Sequence, residues 1–183
     1  MLVCNADTGV SMVQDNTITP EDLVQKMTLM TAVTASGTSI DFTGIPSWAK
    51  RITVMFNGVS TNGTSVVVVQ LGDDGGIENT GYVCNASGIT NAVATASYTT
   101  GFGISENNLI TAAHSGSFDI NKINSNSFTA KGVTDFYASG GGTKVSICAG
   151  SKTLSAELTT IRITTVNGTD TFDAGTINIM YEG

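Results

Sequence analysis

The block from Ile40 to Leu71 constrains the fold of this chain more than any other segment. It reads IDFTGIPSWAKRITVMFNGVSTNGTSVVVVQL, and turn signals separate its apolar runs. Apolar residues alternate with polar ones in Ile40–Phe42 and Ile52–Phe56, which is the period of a strand with one buried face. Asn-Gly pairs at Asn57 and Asn62 predict turns. Such a segment builds a sheet and contributes almost no reactive side chains.

The same pattern continues to the C-terminus. Val66–Val69 is continuously apolar, as in a strand buried on both faces, and Leu158–Val166 and Thr176–Tyr181 alternate cleanly. A further turn signal stands at Asn167-Gly168. Many short strands without βαβ alternation predict an all-β chain, folded as an antiparallel β-sandwich or jelly roll.

One helix signal precedes the strands. Thr19 suits an N-cap and Pro20 the first helical position, so we predict a short helix from Pro20 to about Met30. An apolar stripe of this kind most often packs on its own domain, and a subunit interface or a docking arm is the alternative; the candidate interface residues are Leu23, Met27 and Met30. The predicted organisation is an N-terminal arm and helix over residues 1–32 and a β-sandwich domain over residues 33–183.

Composition narrows the class of partner. The chain has 183 residues, of which only 13% are charged, and a formal net charge of -7. Basic residues are too few and too dispersed for a nucleic-acid or anionic-membrane surface, so we expect neither partner. A weakly charged surface favours a homo-oligomer over a monomer that relies on charge for solubility.

Cysteines and terminal segments point to an intracellular site of synthesis. Cys4, Cys84 and Cys148 match no zinc-ligand spacing, and we interpret them as small buried hydrophobes. Polar residues interrupt the N-terminus before any signal-peptide core forms, and no run is long enough to span a membrane. We expect synthesis in a cytosol and no membrane insertion.

Candidate catalytic groups are isolated. His114 is the single histidine, and no nucleophile elbow accompanies it. Asp170, Asp173 and Glu78 are the carboxylates that a glycoside hydrolase would use, but two aspartates beside an Asn-Gly turn are more typical of turn acceptors. We therefore predict a protein that is not an enzyme, with no catalytic residue, no metal and no cofactor.

The most plausible ligand surface lies on loops and at one aromatic residue. Trp48 either stacks on a sugar ring or plugs the end of the sandwich. The outer loops are predicted at Asp73–Gly76, Thr99–Glu106 and Ser139–Gly142. The candidate ligand-facing residues are Trp48, Asp73, Asp74 and Phe102.

Two segments carry a resemblance to a known family. TASGTSIDFTGIPSWAKRITVMFNGVSTNGTS, from Thr34, and SKTLSAELTTIRITTVNGTDTFDAGTINIMYEG, from Ser151, resemble the two ends of a module found near the C-termini of tail-fibre and related virion proteins of tailed bacteriophages. The resemblance covers roughly Thr31 to Gly183, with a looser middle that includes GYVCNASGITNA and YTTGFGI.

The resemblance implies a homotrimeric virion structural protein that is made in the host cytoplasm and displayed on the particle. A host cell-surface glycan is the implied ligand, and residues 1–32 are the expected contact with other virion proteins. Because about thirty residues precede the module, a capsid decoration or head-fibre protein that stabilises the shell is the alternative. A carbohydrate-active depolymerase is a remote alternative.

Overall fold

The structure, a computed structural model, describes residues 27–90, 93–139 and 142–183. Within these ranges the chain forms strands and no helix. The strands are β1 (Met27–Leu29), β2 (Val33–Thr34), β3 (Ser39–Thr43), β4 (Arg51–Thr61), β5 (Val67–Asp73), β6 (Gly76–Glu78), β7 (Val83–Ile89), β8 (Val93–Tyr98), β9 (Phe102–Gly103), β10 (Ala112–Lys122), β11 (Ser127–Ala138), β12 (Gly142–Thr153), β13 (Thr160–Thr165) and β14 (Phe172–Glu182).

The strands form two antiparallel sheets. The large sheet runs β1-β14-β4-β10-β11-β12-β7-β8, with β2 also paired to β14. The small sheet runs β3-β13-β5-β6, with β9 paired to β5. Long hairpins between β10, β11 and β12 make up the centre of the large sheet, and their full-length registers leave little freedom for strand slippage.

The main hydrophobic core lies between the sheets. Alternate residues of both sheets enter it, including Val54 and Ile120 from the large sheet and Val69 and Ile163 from the small sheet, all fully buried. The burial pattern follows period two in β3 and β11, as a strand with one covered face requires. The prediction of an all-β, antiparallel β-sandwich is confirmed at this level.

The predicted helix is wrong where the structure describes it. Met27–Leu29 is a strand that pairs antiparallel with β14, and the Met30 amide donates to the Ile179 carbonyl at 3.0 Å. Leu23 and the first part of the predicted helix lie outside the described residues. A short isolated helix is only marginally stable, whereas pairing as a strand satisfies the free backbone N–H and C=O groups at the edge of β14.

The described part of the arm therefore continues the large sheet. β1 lies before the predicted boundary at residue 32 and β2 after it, and both pair with β14. Within the described ranges, no helix has the length and apolar character needed to cross a membrane.

The Asn57-Gly58 pair forms a bulge inside β4, although its sequence predicts a turn. The pairing with β10 shifts between Phe56 and Val59, and Gly58 adopts a φ of 63°. Gly175 of β14 lies against this bulge, where a β-carbon would approach the Gly58 carbonyl oxygen to 2.5 Å. The other two Asn-Gly pairs, at Asn62 and Asn167, lie between strands as predicted.

Candidate functional site

A shallow polar groove crosses the outer face of the small sheet. It has a volume of about 290 Å³ and lies between the edge strand β3 and the segment before β9. Outward-facing side chains of β13 and β5 form its floor, because alternate residues of these strands point away from the core. We call it the outer groove; its lining includes Thr38, Ser39, Gln70, Asn79, Thr100, Arg162, Thr164, Thr165 and Asn167.

Arg162 is the charged residue of the outer groove. Its Nε and Nη2 donate to the two carboxylate oxygens of Asp41, each at 2.7 Å, across the β13–β3 pair. This bidentate hydrogen bonding raises the pKa of Arg162 and fixes its plane. Both side chains remain 34% exposed, so the guanidinium keeps donors available to a ligand while its orientation is held.

Neighbouring polar groups of the outer groove are also held in place. Gln70 donates through Nε2 to the Thr100 carbonyl at 2.8 Å, and Thr164 donates through Oγ1 to the Thr38 carbonyl at 2.8 Å. These bonds connect β5 and β13, which form the floor of the outer groove, to the segments at its two sides. Side chains held in this way lose little conformational entropy when a ligand binds.

The outer groove has the chemistry of a binding site for a hydroxyl-rich molecule. Its lining supplies amides, hydroxyls and one guanidinium, which donate and accept hydrogen bonds with sugar hydroxyls. The lining contains no carboxylate; two carboxylates bond to lining residues from outside it, Asp41 to Arg162 and Asp170 to Asn167. General acid–base chemistry needs a positioned titratable group near its operating pH, which this lining does not provide.

Trp48 lies at one end of the sandwich and contributes to a second cavity. It is half-buried against the core and contacts Tyr181, with ring centroids 5.4 Å apart. It also lines an open, mainly apolar cavity of about 360 Å³ together with Lys50 and Lys122. Packing of Trp48 against the core agrees with the expected plug at the end of the sandwich, and stacking on a sugar ring stays a prediction.

Asp73 and Asp74 differ in their surroundings. Asp73 is buried and accepts hydrogen bonds from Ser155 Oγ at 2.6 Å and from the Gly75 and Ala156 amides. These bonds, that of Ser155 first, lower the pKa of Asp73. Asp74 lies at the exposed tip of the β5–β6 hairpin. Asp73 thus stabilises the β5–β6 hairpin and ties it to Ser155 and Ala156. Of the two aspartates, only Asp74 faces outward.

Phe102 is in the core, and the prediction that it faces a ligand is wrong. Its side chain is fully buried, and β9 pairs with β5 at Val69. Residues 101–105 are all buried, so this part of the predicted Thr99–Glu106 loop is not an open surface. The third predicted loop, Ser139–Gly142, includes positions outside the described residues.

The carboxylates considered for glycoside hydrolysis have structural partners. Asp170 accepts from the Ser65 amide at 2.9 Å and from Asn167 Nδ2 at 2.7 Å, and Asp173 accepts from Ser60 Oγ. Burial acts to raise the pKa of Glu78, but hydrogen bonds from Lys152 and Ser155 outweigh it and hold that pKa below its ordinary value. These carboxylates belong to turn and loop networks.

His114, a residue of β10, is fully buried in a polar network. Its Nε2 lies 3.0 Å from Asn108 Oδ1, while Asn108 Nδ2 donates to Thr61 Oγ1 at 3.0 Å and to the Ser65 carbonyl at 3.1 Å. Nδ1 has no hydrogen-bond partner among the described residues. Burial lowers the pKa of His114 to about 4, so the imidazole is neutral near pH 7.

The described cysteines behave as predicted in their burial. Cys84 and Cys148 are buried free thiols, and burial raises both pKa values, that of Cys148 to about 12. Cys4 lies outside the described residues. Within the described part of the chain, no group of three or more His, Cys, Asp or Glu side chains is arranged to hold a metal ion.

Sequence reasoning missed the outer groove because its parts come from distant segments. Arg162 and Asp41 are 121 positions apart and meet only through the pairing of β13 with β3. The alternation of polar and apolar residues in each strand gives a weak signal. It places Asp41 and Arg162 on the sheet face opposite the buried isoleucines of β3 and β13. That signal does not reveal which strands are neighbours.

Comparison of the chain with protein-family profiles, curated protein sequences and solved structures finds no match. The resemblance to phage fibre modules therefore stays a prediction.

Proposed function

We propose that this protein is a non-enzymatic bacteriophage virion protein whose β-sandwich binds a host cell-surface glycan through the outer groove. The observation that carries the binding role is the composition of the groove, in which positioned amides, hydroxyls and Arg162 occur without a carboxylate in the lining. Virion placement rests on the sequence resemblance of the two end segments. An all-β scaffold with loops and grooves on its outer faces suits such display.

A jelly-roll connectivity is part of this proposal. The chain crosses from one sheet to the other between β3 and β4, between β4 and β5, and again between β12 and β13. Repeated crossing of this kind is what a double Greek-key arrangement requires.

Glycan binding is tested with the purified protein and immobilised surface polysaccharides from candidate host bacteria. Replacing Arg162 and Gln70 together by alanine is expected to weaken binding by about tenfold or more, because hydrogen bonds from a charged donor contribute about 1.5–3 kcal/mol. Arg51→Ala is the matched control, since Arg51 also pairs with a carboxylate, Glu182, but in the large sheet.

Two outcomes would count against the outer groove. Equal binding by the double variant and the wild-type protein removes the groove as the site. Loss of binding in Trp48→Ala with full binding in the double variant moves the site to the cavity at the end of the sandwich. Release of shorter sugars from the polysaccharide would contradict the non-enzymatic assignment.

The outer face of the large sheet favours a second role in assembly. Large apolar side chains there are exposed on adjoining strands: Val133 pairs with Ile147, and Val145 pairs with Ile89, which pairs with Val93. Each is at least 44% exposed. We call this set the apolar face. A contiguous apolar surface of this kind suits a protein–protein contact, so we propose that it joins copies of this chain.

A charge in the centre of the apolar face should separate the subunits. Ile147→Lys is expected to convert an oligomer to a monomer in sedimentation-velocity runs, because a lysine buried in an apolar contact loses its hydration without a partner. Thr129→Lys is the control, since Thr129 is exposed on β11 away from the apolar face. A wild-type protein that stays monomeric at high micromolar concentration contradicts self-assembly.

A further inference from the structure

A lysine, an asparagine and a glutamate meet near the start of β12, away from the outer groove. Lys144 Nζ contacts both the Glu106 carboxylate and the side-chain oxygen of Asn107. The Lys144 and Glu106 side chains are only 8% and 5% exposed. A shielded amine and carboxylate with a side-chain amide against the amine are the groups that amide exchange requires.

The surroundings hold this cluster in one arrangement. The Phe136 ring centroid lies 3.9 Å from Lys144 Nζ and shields one side of the amine. Ser146 donates through Oγ to the second Glu106 oxygen at 3.1 Å. Gly88 of β7 leaves the space that the Glu106 carboxylate occupies, since a β-carbon there would collide with it. The carboxylate is therefore positioned by two neighbouring strands, β12 and β7.

A second buried lysine, Lys152, forms an ion pair without a side-chain amide bonded to it among the described residues and serves as a comparison. Lys152 Nζ contacts the Glu78 carboxylate and donates to the Thr80 carbonyl at 2.9 Å, and its side chain is 4% exposed. Its hydrogen-bond partners are thus a carboxylate and a backbone carbonyl. The Lys144 cluster differs in that a side-chain amide lies against the amine, beside the carboxylate.

We propose that Lys144 and Asn107 form an intramolecular isopeptide bond, with Glu106 as the group that transfers the protons. The amide carbon of Asn107 is one bond beyond the oxygen that Lys144 contacts, so the amine is within attacking range. Glu106 takes a proton from the ammonium group, and the free amine attacks the Asn107 Cγ. The bond between Cγ and Nδ2 then breaks.

The reaction balances without a co-reactant. The lysine nitrogen loses two protons as it becomes an amide nitrogen, and Glu106 passes them to the departing Nδ2, which leaves as ammonium. Glu106 ends as the carboxylate that it was at the start. Asn107 is on the exposed rim of the cluster, which gives the leaving group a path to solvent. The bond would tie the segment before β10 to β12 across 37 positions of sequence.

The experiment measures the intact mass of the folded, full-length protein and sequences its cross-linked peptides. The mass is expected to be lower than that of the sequence by one ammonia molecule, and a digest should yield one branched species that contains both Asn107 and Lys144. Lys144→Arg and Glu106→Gln should each restore the full mass. Asn107→Asp should lose one water molecule instead, because its leaving group is a hydroxyl.

Controls separate this bond from other losses of ammonia. Cyclisation of Asn107 with its own backbone gives the same mass change but no branched peptide, and it persists in Lys144→Arg. Lys152→Arg should retain the branched peptide, because Lys152 belongs to the other ion pair. A folded wild-type protein of full sequence mass, or a mass loss unaffected by Lys144→Arg, overturns the proposal.

Discussion

Replacement of Phe102 by alanine is expected to lower the free energy of unfolding by about 3–5 kcal/mol, the usual cost of removing a fully buried phenylalanine. The ring is completely buried between the Tyr82 ring, which it meets edge-on with centroids 5.0 Å apart, and the Phe118 ring at 5.6 Å. Both sheets and β9 converge on this contact, so the cavity left by the substitution cannot close easily.

Urea unfolding followed by circular dichroism measures this effect. Tyr137→Ala is the matched control, because Tyr137 is an aromatic residue of similar size that is 56% exposed on β11. We expect the control to change stability by less than about 1 kcal/mol. An unchanged unfolding midpoint for Phe102→Ala, together with weaker glycan binding, would instead place Phe102 on a ligand surface.

Phe102 also shows why the sequence misled. Glycines on both sides of a single aromatic residue resemble an exposed loop tip, and hydropathy alone does not separate that from a short buried strand. In the structure these glycines permit close packing. A β-carbon at Gly101 would lie 2.9 Å from Val68 Cβ, and one at Gly103 would collide with the Tyr98 ring. The reason for each glycine thus lies in a tertiary contact, with Val68 for Gly101 and with Tyr98 for Gly103.

The sheet itself was predictable because its signal is local. Period-two alternation in Ile40–Phe42 and Ile52–Phe56 corresponds to the buried positions of β3 and β4. The turns that the sequence predicts at Asn62 and Asn167 also lie between strands. Burial of alternate residues is dictated by strand geometry, so a single sequence is sufficient to reveal it.

Features that depend on strand neighbours were not predictable. The Met27–Leu29 segment carries helix-compatible residues but pairs with β14, and the Asn57-Gly58 pair carries turn residues but forms a bulge between β10 and β14. The outer groove has the same origin, since Arg162 and Asp41 meet through one strand pairing. Tertiary contacts override local preference at these positions.

His114 should make the protein sensitive to mild acid. Its pKa is about 4 in the folded protein against 6.5 as the ordinary value; burial is the main cause and nearby Lys144 adds to it, while Glu106 acts in the opposite direction. A histidine with a lowered folded pKa binds more protons when unfolded, so stability is full above pH 6.5 and falls as the pH drops toward 4. We expect a loss of about 2 kcal/mol between pH 8 and pH 5.

The contribution of His114 to stability is lost over a different pH range from that of the carboxylates. Asp73 and Glu78 also have lowered pKa values, but their ordinary values are 3.8 and 4.5, so their contributions are lost only in stronger acid. Urea midpoints measured from pH 8 to pH 5 therefore report chiefly on the histidine. His114→Gln is the control, because its amide nitrogen can still donate to Asn108 while the side chain does not titrate.

The buried network explains why the free energy of unfolding should decrease with pH, which gives a plot of stability against pH its slope. Nε2 donates to Asn108 Oδ1, because the nitrogen of that amide already donates to Thr61 and Ser65, and Nδ1 is left without a partner among the described residues. Protonation would place a second N–H and a positive charge at Nδ1, where neither is compensated. The slope should therefore flatten in His114→Gln even if that variant is less stable at pH 8. Equal slopes in the two proteins would assign the acid sensitivity to other groups.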